Sequence, residues 1–316
     1  MMEESTVRDV VMIGAGPSAL AAAIYTTREN IDTVLYEKGV VGGLAAITDK
    51  VDNYPGFAEG IEGMQLADQL QKQAERFGAH IEYGDVNALR DEGEYRVVTV
   101  DGKEVKARAV LIATGSDYNK LGIPGEAEYY GRGVHYCATC DGAFYRDKQL
   151  VVVGGGNSGV QEAIFLTRFA SHIDLLVRST LKASEVLQQE LQKFVDLGQV
   201  TIHLQTAPSS ILANNEGKVC AVAAVKDGNP TEFATDGVFV FIGLKPNTQF
   251  LAGSGVELDE RKLVKTDAHL ATNLPGVFAS GDVRSGATMQ VASAVGEGAT
   301  AALAIREFLG GNKPGY

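Results

Sequence analysis

The chain has 316 residues, 45% hydrophobic and 22% charged, with a formal net charge of −12. Length and composition fit an ordinary globular protein of one large or two medium domains. The acidic balance argues against nucleic acid and anionic membranes as partners, because both select basic patches. The opening M-M-E-E-S-T-V-R-D lacks the apolar core of a signal peptide. No apolar run reaches the ~20 residues of a membrane span, so no membrane association and a cytoplasmic location are expected.

Residues 8–13 (R-D-V-V-M-I) read as a short buried strand. The loop Gly14-Ala15-Gly16-Pro17-Ser18-Ala19 follows, then the helical pattern A-L-A-A-A-I-Y-T-T-R, then a second strand, T-V-L-Y, that ends at Glu37. This is G-x-G-x-x-A inside a strand–helix–strand unit, with an acid 23 residues after the first glycine. Gly14 permits the tight turn, and Gly16 lets the backbone approach a pyrophosphate, whose charge the helix N-terminus favours. Glu37 is placed to accept hydrogen bonds from ribose hydroxyls. The stretch 41–57, rich in Gly, Asn and Pro, suggests a functional loop against a ligand. A-V-L-I-A-T-G (109–115) is a further strand ending in glycine.

Next comes H-Y-C-A-T-C-D-G-A-F-Y (135–145). In a reducing compartment a C-x-x-C is either redox-active or half of a metal site. Zinc needs four ligands, and the third cysteine, Cys220, is isolated in the strand-like run K-V-C-A-V-A-A-V. The redox dithiol is therefore the better reading, with no metal expected. Cys220 is expected to be an inert core residue. Asp141 sits where it could move protons during thiol exchange, and a turn or capping aspartate would look the same. His135 reads as a packed histidine rather than an acid or base.

The nucleotide pattern then repeats. A strand at 149–153 (Q-L-V-V-V) leads to Gly154-Gly155-Gly156-Asn157-Ser158-Gly159, the helix V-Q-E-A-I-F-L-T-R-F and the strand I-D-L-L-V. Here the position 23 residues after the first glycine is Val177, followed by Arg178. G-V-F-V-F-I-G (237–243) matches the earlier strand ending in glycine, so the chain looks duplicated. Near the end, L-P-G-V-F-A-S-G-D (274–282) gives another strand, followed by a small-residue helix from Met289 to about Leu309. A helix start beside Gly281-Asp282 suits a phosphate or ribityl chain, while a terminal packing helix accounts for most of the same residues.

Taken together, G-A-G-P-S-A (14–19), N-Y-P-G-F (53–57), A-T-G (113–115), L-G-I-P-G-E (121–126), C-A-T-C-D-G (137–142), G-G-G-N-S-G (154–159), F-I-G-L-K-P-N (241–247) and A-S-G-D (279–282) through Gln290 resemble the low-molecular-weight thioredoxin reductases. The resemblance covers nearly the full length. It implies an α/β protein of two Rossmann-like dinucleotide-binding domains of the three-layer ββα type. An FAD-binding domain, residues 1–117 and 247–316, would be split by an NAD(P)H-binding-like domain, residues 118–246, that carries the C-x-x-C. FAD would be held by Gly14, Gly16, Pro17, Ser18, Ala19, Glu37, Gly42, Gly43, Asn53, Val86, Thr114, Gly115, Gly281, Asp282, Gln290 and Val291. NADPH would meet Gly154, Gly156, Asn157, Ser158, Arg178 and Lys182. Cys140 would face the flavin, Cys137 would attack the disulfide of a thioredoxin-like protein, and Asp141 would protonate the flavin-side thiolate. Such enzymes are homodimers whose domains rotate, which makes 116–121 and 244–248 candidate hinges.

The chain departs from the family where the nucleotide ribose is read. The family's H-R-R-x-x-x-R is V-R-S-T-L-K here, which keeps Arg178 and Lys182 but loses the histidine and the middle arginine. Gly159, Gln161 and Met289 stand where the family has Ala, Glu and Arg. An arginine fork to a 2′-phosphate contributes ~1.5–3 kcal/mol, so the donor is the open question. Three readings follow: a thioredoxin-type reductase driven by NADPH, the same dithiol chemistry fed by ferredoxin or another flavin, and a flavin dithiol redox sensor. Ferredoxin–NADP reductases of the same fold are disfavoured, because they lack the C-x-x-C.

Overall fold

The computed structural model describes residues 7–48, 50–51 and 53–311. The chain folds as two compact units: one runs to Asp117 and resumes at Pro246, and the other is Tyr118–Lys245.

In the first unit the strand Arg8–Ile13 lies between parallel neighbours Thr33–Glu37 and Lys103–Ile112. His80–Tyr83 extends the sheet on one side. On the other, Val277–Ala279 pairs with Lys103–Ile112 in parallel. The long strand also runs on into an antiparallel meander with Arg96–Val100 and Val86–Asp91. A parallel strand covered on both faces needs apolar residues in succession, which is why Val10, Val11 and Met12 carry no polar alternation. One face packs on the helices Pro17–Arg28, Gly63–Arg76 and Val291–Leu309, and the opposite face packs on the meander side. The first and last of these helices touch along small residues. A Cβ at Gly298 would strike the Ser18 carbonyl oxygen, so glycine there sets how closely the two axes approach.

The second unit repeats the plan. Five parallel strands run in the order Val134–His135, Gly237–Val240, Gln149–Val153, His172–Leu176, Val200–His203. The helices Asn157–Leu166 and Glu185–Asp196 belong to one side. The antiparallel strands Thr206–Ala213, Val219–Lys226 and Asn229–Ala234 cover the other. Each unit thus has three layers, a parallel sheet between helices and a β-meander.

Several boundaries differ from the sequence reading. The strand Lys103–Ile112 starts earlier than expected and leaves Ala113-Thr114-Gly115 as a turn. Gly237–Val240 and Val277–Ala279 are shorter than their apolar runs, because the residues after them turn toward the glycine loops. The helix expected from residue 160 begins at Asn157, and the last helix begins at Val291, after Met289 in the left-handed region at φ +56° and the N-cap Gln290. One expectation is overturned: Cys220 is exposed, not a core residue. It lies on the middle strand of the second meander, where Val219, Ala221 and Val222 take the buried positions.

Candidate functional site

The first glycine loop is shaped by close backbone approach. Gly14 has φ +97°, and a Cβ there would lie 2.6 Å from the Ala113 carbonyl oxygen. Gly16 faces open space and caps the helix that starts at Pro17, whose missing N–H costs nothing at that position. Ala19 is fully buried against the core. The Gly42-Gly43 turn closes on the same loop: Gly42 N–H donates to the Ala15 carbonyl at 2.8 Å, and a Cβ on Gly43 would sit 3.9 Å from Gly16 Cα. The Glu37 carboxylate accepts from Ala15 N–H at 2.7 Å and Gly39 N–H at 2.8 Å. A carboxylate offers about four lone-pair directions, so acceptor capacity remains for ribose hydroxyls. A cleft of about 330 Å³ opens beside it, lined by Gly14, Glu37, Lys38, Val86, Thr114 and Asn247 among others. Thr114 and Asn247 lock its far wall. Thr114 Oγ1 donates to the Asn247 carbonyl at 2.7 Å, and Asn247 Nδ2 donates back to the Thr114 carbonyl at 3.1 Å. Gly115, at φ +65°, turns the chain away, and its carbonyl accepts from Asn247 N–H at 3.1 Å.

The C-terminal segment reaches the same loop. The buried hydroxyls of Ser18 and Ser280 lie 2.6 Å apart. Gly281, at φ +73°, donates its N–H to Glu297 Oε2 at 2.8 Å, and Arg284 grips the Glu297 carboxylate at 2.6 and 3.1 Å. Beside this pair Asp282 is largely out of water; burial first, and the Glu297 charge second, push its carboxyl up to about 6. Gln290 Oε1 accepts from Asn53 Nδ2 at 3.0 Å, which joins the 41–57 loop to the start of the last helix at Val291.

The second glycine loop is built differently. Gly154 again has positive φ, +145°, and Gly156 again faces open space. Val177, at the position matching Glu37, is buried, and a Cβ on Gly155 would lie 2.5 Å from its Cγ1. An apolar side chain thus fills the place where the first unit has a carboxylate. The 178–184 segment folds onto the loop: Lys182 N–H donates to the Gly155 carbonyl at 2.7 Å, and Ser184 N–H donates to Asn157 Oδ1 at 2.8 Å. Ser158, Arg178 and Lys182 are exposed. A Cβ on Gly159 would strike the Gly154 carbonyl, which explains glycine where an alanine was anticipated.

The two cysteines lie in this second unit and form a disulfide. Cys137 caps the short helix Ala138–Asp141, and its Sγ accepts from Cys140 N–H at 3.2 Å. Cys137, Cys140 and Asp141 are each partly exposed. Gly142 lets the chain turn tightly against Leu166, 2.9 Å from where its Cβ would be. On the protein side, Asp141 Oδ2 meets His135 Nδ1 at 3.2 Å, and His135 Nε2 meets Tyr145 Oη at 2.7 Å. Tyr136 Oη donates at 2.7 Å to Glu126, a buried carboxylate that also accepts from the N–H groups of Leu121 and Gly122.

Comparison with known proteins agrees with this geometry. Residues 8–298 match the family model described as pyridine nucleotide-disulphide oxidoreductase. Thioredoxin reductase from Bacillus subtilis is 42% identical over 311 residues, covering 98% of this chain and 96% of its own length. The thioredoxin reductase structure from Streptococcus pyogenes superposes with a TM-score of 0.91 at 37% identity, covering 98% of this chain and 100% of that one. The Giardia duodenalis enzyme gives 0.89 at 30% identity, covering 96% and 99%. The chain belongs to the low-molecular-weight thioredoxin reductases.

For a thioredoxin reductase the first cleft must suit FAD, and its residues do. The side of Gly16 that a Cβ would occupy is empty, leaving room for a pyrophosphate over the helix N-terminus. Glu37 supplies a carboxylate acceptor where it lines the cleft. Four residues of this site were missed as site residues: Asn247, Ser280, Arg284 and Glu297. The first three sat inside the stretches that carry the resemblance, and Glu297 gave no local signal. Among the described residues no helix is long and apolar enough to cross a membrane, and no group of His, Cys, Asp and Glu is arranged to hold a metal ion.

Proposed function

We propose that the protein reduces the disulfide of a thioredoxin-like protein, taking electrons from NADPH through FAD. The observation that carries this is the Cys137–Cys140 disulfide, backed by Asp141, in the unit that also holds the second glycine loop. FAD, when bound, turns an electron pair received as hydride into electrons a disulfide can accept. The chain's own residues do the rest. Gly14, Gly16 and the helix from Pro17 would hold the pyrophosphate, Glu37 the ribose, and Asp282 the ribityl hydroxyls, with Ser18 and Ser280 fixing the loop. Asn53, Val86, Thr114 and Gln290 would shape the remaining walls. In the second unit Gly154, Gly156, Asn157 and Ser158 would face the NADPH pyrophosphate, and Arg178 and Lys182 its 2′-phosphate. Cys137 attacks the partner disulfide, Cys140 resolves the mixed disulfide, and Asp141 supplies a proton to the Cys140 thiolate. Overall, one NADPH and one proton give NADP⁺ and a dithiol. A homodimer working in the cytoplasm is part of this reading.

A second reading keeps the dithiol chemistry but takes electrons from a protein such as ferredoxin or from another flavin. Val177 favours it, since the ribose position of the second unit is filled by a buried apolar side chain. An anaerobic titration separates the two by following the flavin band near about 450 nm. Bleaching by micromolar NADPH supports the first reading. Bleaching by photoreduced ferredoxin but by neither NADPH nor NADH supports the second. No multiple turnover of thioredoxin disulfide with any donor would refute both and leave a redox sensor.

A further inference from the structure

The proposed chemistry leaves one side chain at the dithiol unused. His135 is two residues before Cys137 and 6% exposed. Its ring is stacked on Phe239 at 5.1 Å, and the Tyr145 ring meets both edge-on. Gly237 makes the space, for a Cβ there would strike the Tyr145 ring. The imidazole is therefore fixed, with Nδ1 at Asp141 and Nε2 at Tyr145. An ionised carboxylate only accepts, so Nδ1 carries a proton in this contact. The groups facing the pair are Tyr145 and Tyr130, with Asp236 acting on Tyr145 from beyond. Burial, then the charges of Asp141 and Asp236, raise the Tyr145 phenol. Burial and the Asp141 charge raise Tyr130. Both stay neutral hydroxyls. Beyond Tyr130 the Lys120 ammonium lies over the rings of Tyr130 and Tyr136, 4.7 and 3.7 Å from their centroids.

We propose that His135 stores the proton that Asp141 passes to the Cys140 thiolate, so that the two side chains act as one acid. This rests on the dithiol reading above. A carboxyl group alone, with an ordinary value near about 4, is ionised at neutral pH and has no proton to give. An imidazole ordinarily changes charge in that range. Reducing the disulfide takes two electrons and two protons. The S–S bond breaks and Cys140 sulfur is left as a thiolate. One proton leaves Nδ1 of the His135 imidazolium and one arrives on Cys140 sulfur, and Asp141 between them ends in the charge state in which it began. Nε2 keeps its hydrogen throughout, directed at the Tyr145 hydroxyl oxygen; the imidazole regains the lost proton at Nδ1 from solvent by way of the partly exposed Asp141 carboxylate, and the second proton reaches Cys137 from water. His135 is thus a positioning and proton-storing residue behind Asp141.

The test uses the holoenzyme. With histidine labelled at Cε1, the five histidines are titrated by NMR, and His135 is assigned by its loss in His135→Asn. Asp141→Asn should displace the His135 titration curve from the parent's, and superimposable curves overturn the proposal. The second arm follows disulfide reduction by dithiothreitol, which needs neither nicotinamide nor thioredoxin. His135→Asn keeps a donor to Asp141 but holds no proton near neutrality. Its rate should fall away at lower pH than the parent's, so that the ratio of the two rates changes across the pH range. A profile of unchanged position, merely scaled, would mean packing alone and overturns the proposal. Tyr145→Phe serves as the milder variant should His135→Asn fold poorly, with the same expected direction. Absence of thioredoxin turnover with any donor would sink the functional reading while leaving the histidine titration to stand or fall by itself.

Discussion

Asp282 carries an unusual electrostatic burden, and removing its charge gives a signed result. Burial and the Glu297 charge raise its carboxyl from 3.8 to about 6 in the folded chain. The fold therefore favours the neutral acid. Below about pH 3.8 folded and unfolded chains are both protonated there, and the full contribution is present. As pH rises toward 6 the unfolded chain ionises first and the contribution drains away. Above 6 the folded chain is ionised too, and the loss levels off. A rise of roughly two units corresponds to about 3 kcal/mol, and partial exposure trims that to about 1–3. Asp282→Asn should raise the urea midpoint of the flavin-free protein at pH 8 and leave it unchanged near pH 4. With FAD present the same substitution should weaken binding, because an amide is a poorer acceptor than a carboxylate for ribityl hydroxyls. Urea curves at a series of pH values, paired with FAD titrations at pH 8, measure both effects. A shift of equal size at pH 4 and pH 8, or destabilisation of the flavin-free protein at pH 8, would refute the reasoning.

Other outcomes are equally definite. Gly298→Ala forces its methyl onto the Ser18 carbonyl, so thermal melting should show a loss of about 1–3 kcal/mol together with released FAD. Thiol titration of the native oxidised protein should find one reactive group, the exposed Cys220, rising to three after reduction. Arg178→Ala should raise KM for NADPH about tenfold or more and leave the NADH value alone, as steady-state kinetics will report; equal change for both would remove the residue from 2′-phosphate recognition.

Both nucleotide-type units were legible because their information is local. Strand, glycine loop, helix and the residue ending the second strand lie within about thirty residues, and each has a steric or electrostatic reason to be there. The same spacing that singled out Glu37 also pointed to Val177. What escaped was non-local. Ser18 meets Ser280 across 262 positions, and Asn53 meets Gln290 across 237. Nothing in either segment names the other. The two meanders and the helix Gly63–Arg76 escaped as well, since none of them carries a glycine motif or a chemistry-bearing residue at a fixed spacing. Cys220 was misjudged because K-V-C-A-V-A-A-V is apolar on both faces, so the strand's alternation leaves no mark in the letters. His135 looked like packing and is packing, but its two ring nitrogens also bridge Asp141 and Tyr145, which no spacing rule reveals.

The contact between the helices Pro17–Arg28 and Val291–Leu309 has a consequence for the order of biosynthesis. Chains emerge N-terminus first, and domains fold as units when complete. The unit Tyr118–Lys245 is continuous and is whole while the other still lacks its last strand and its last helix. The first glycine loop, although made early, must wait on the ribosome for Ser280 and Gly298 before its helix gains its final neighbour. The dithiol module is therefore expected to mature first, and competence to hold the flavin last.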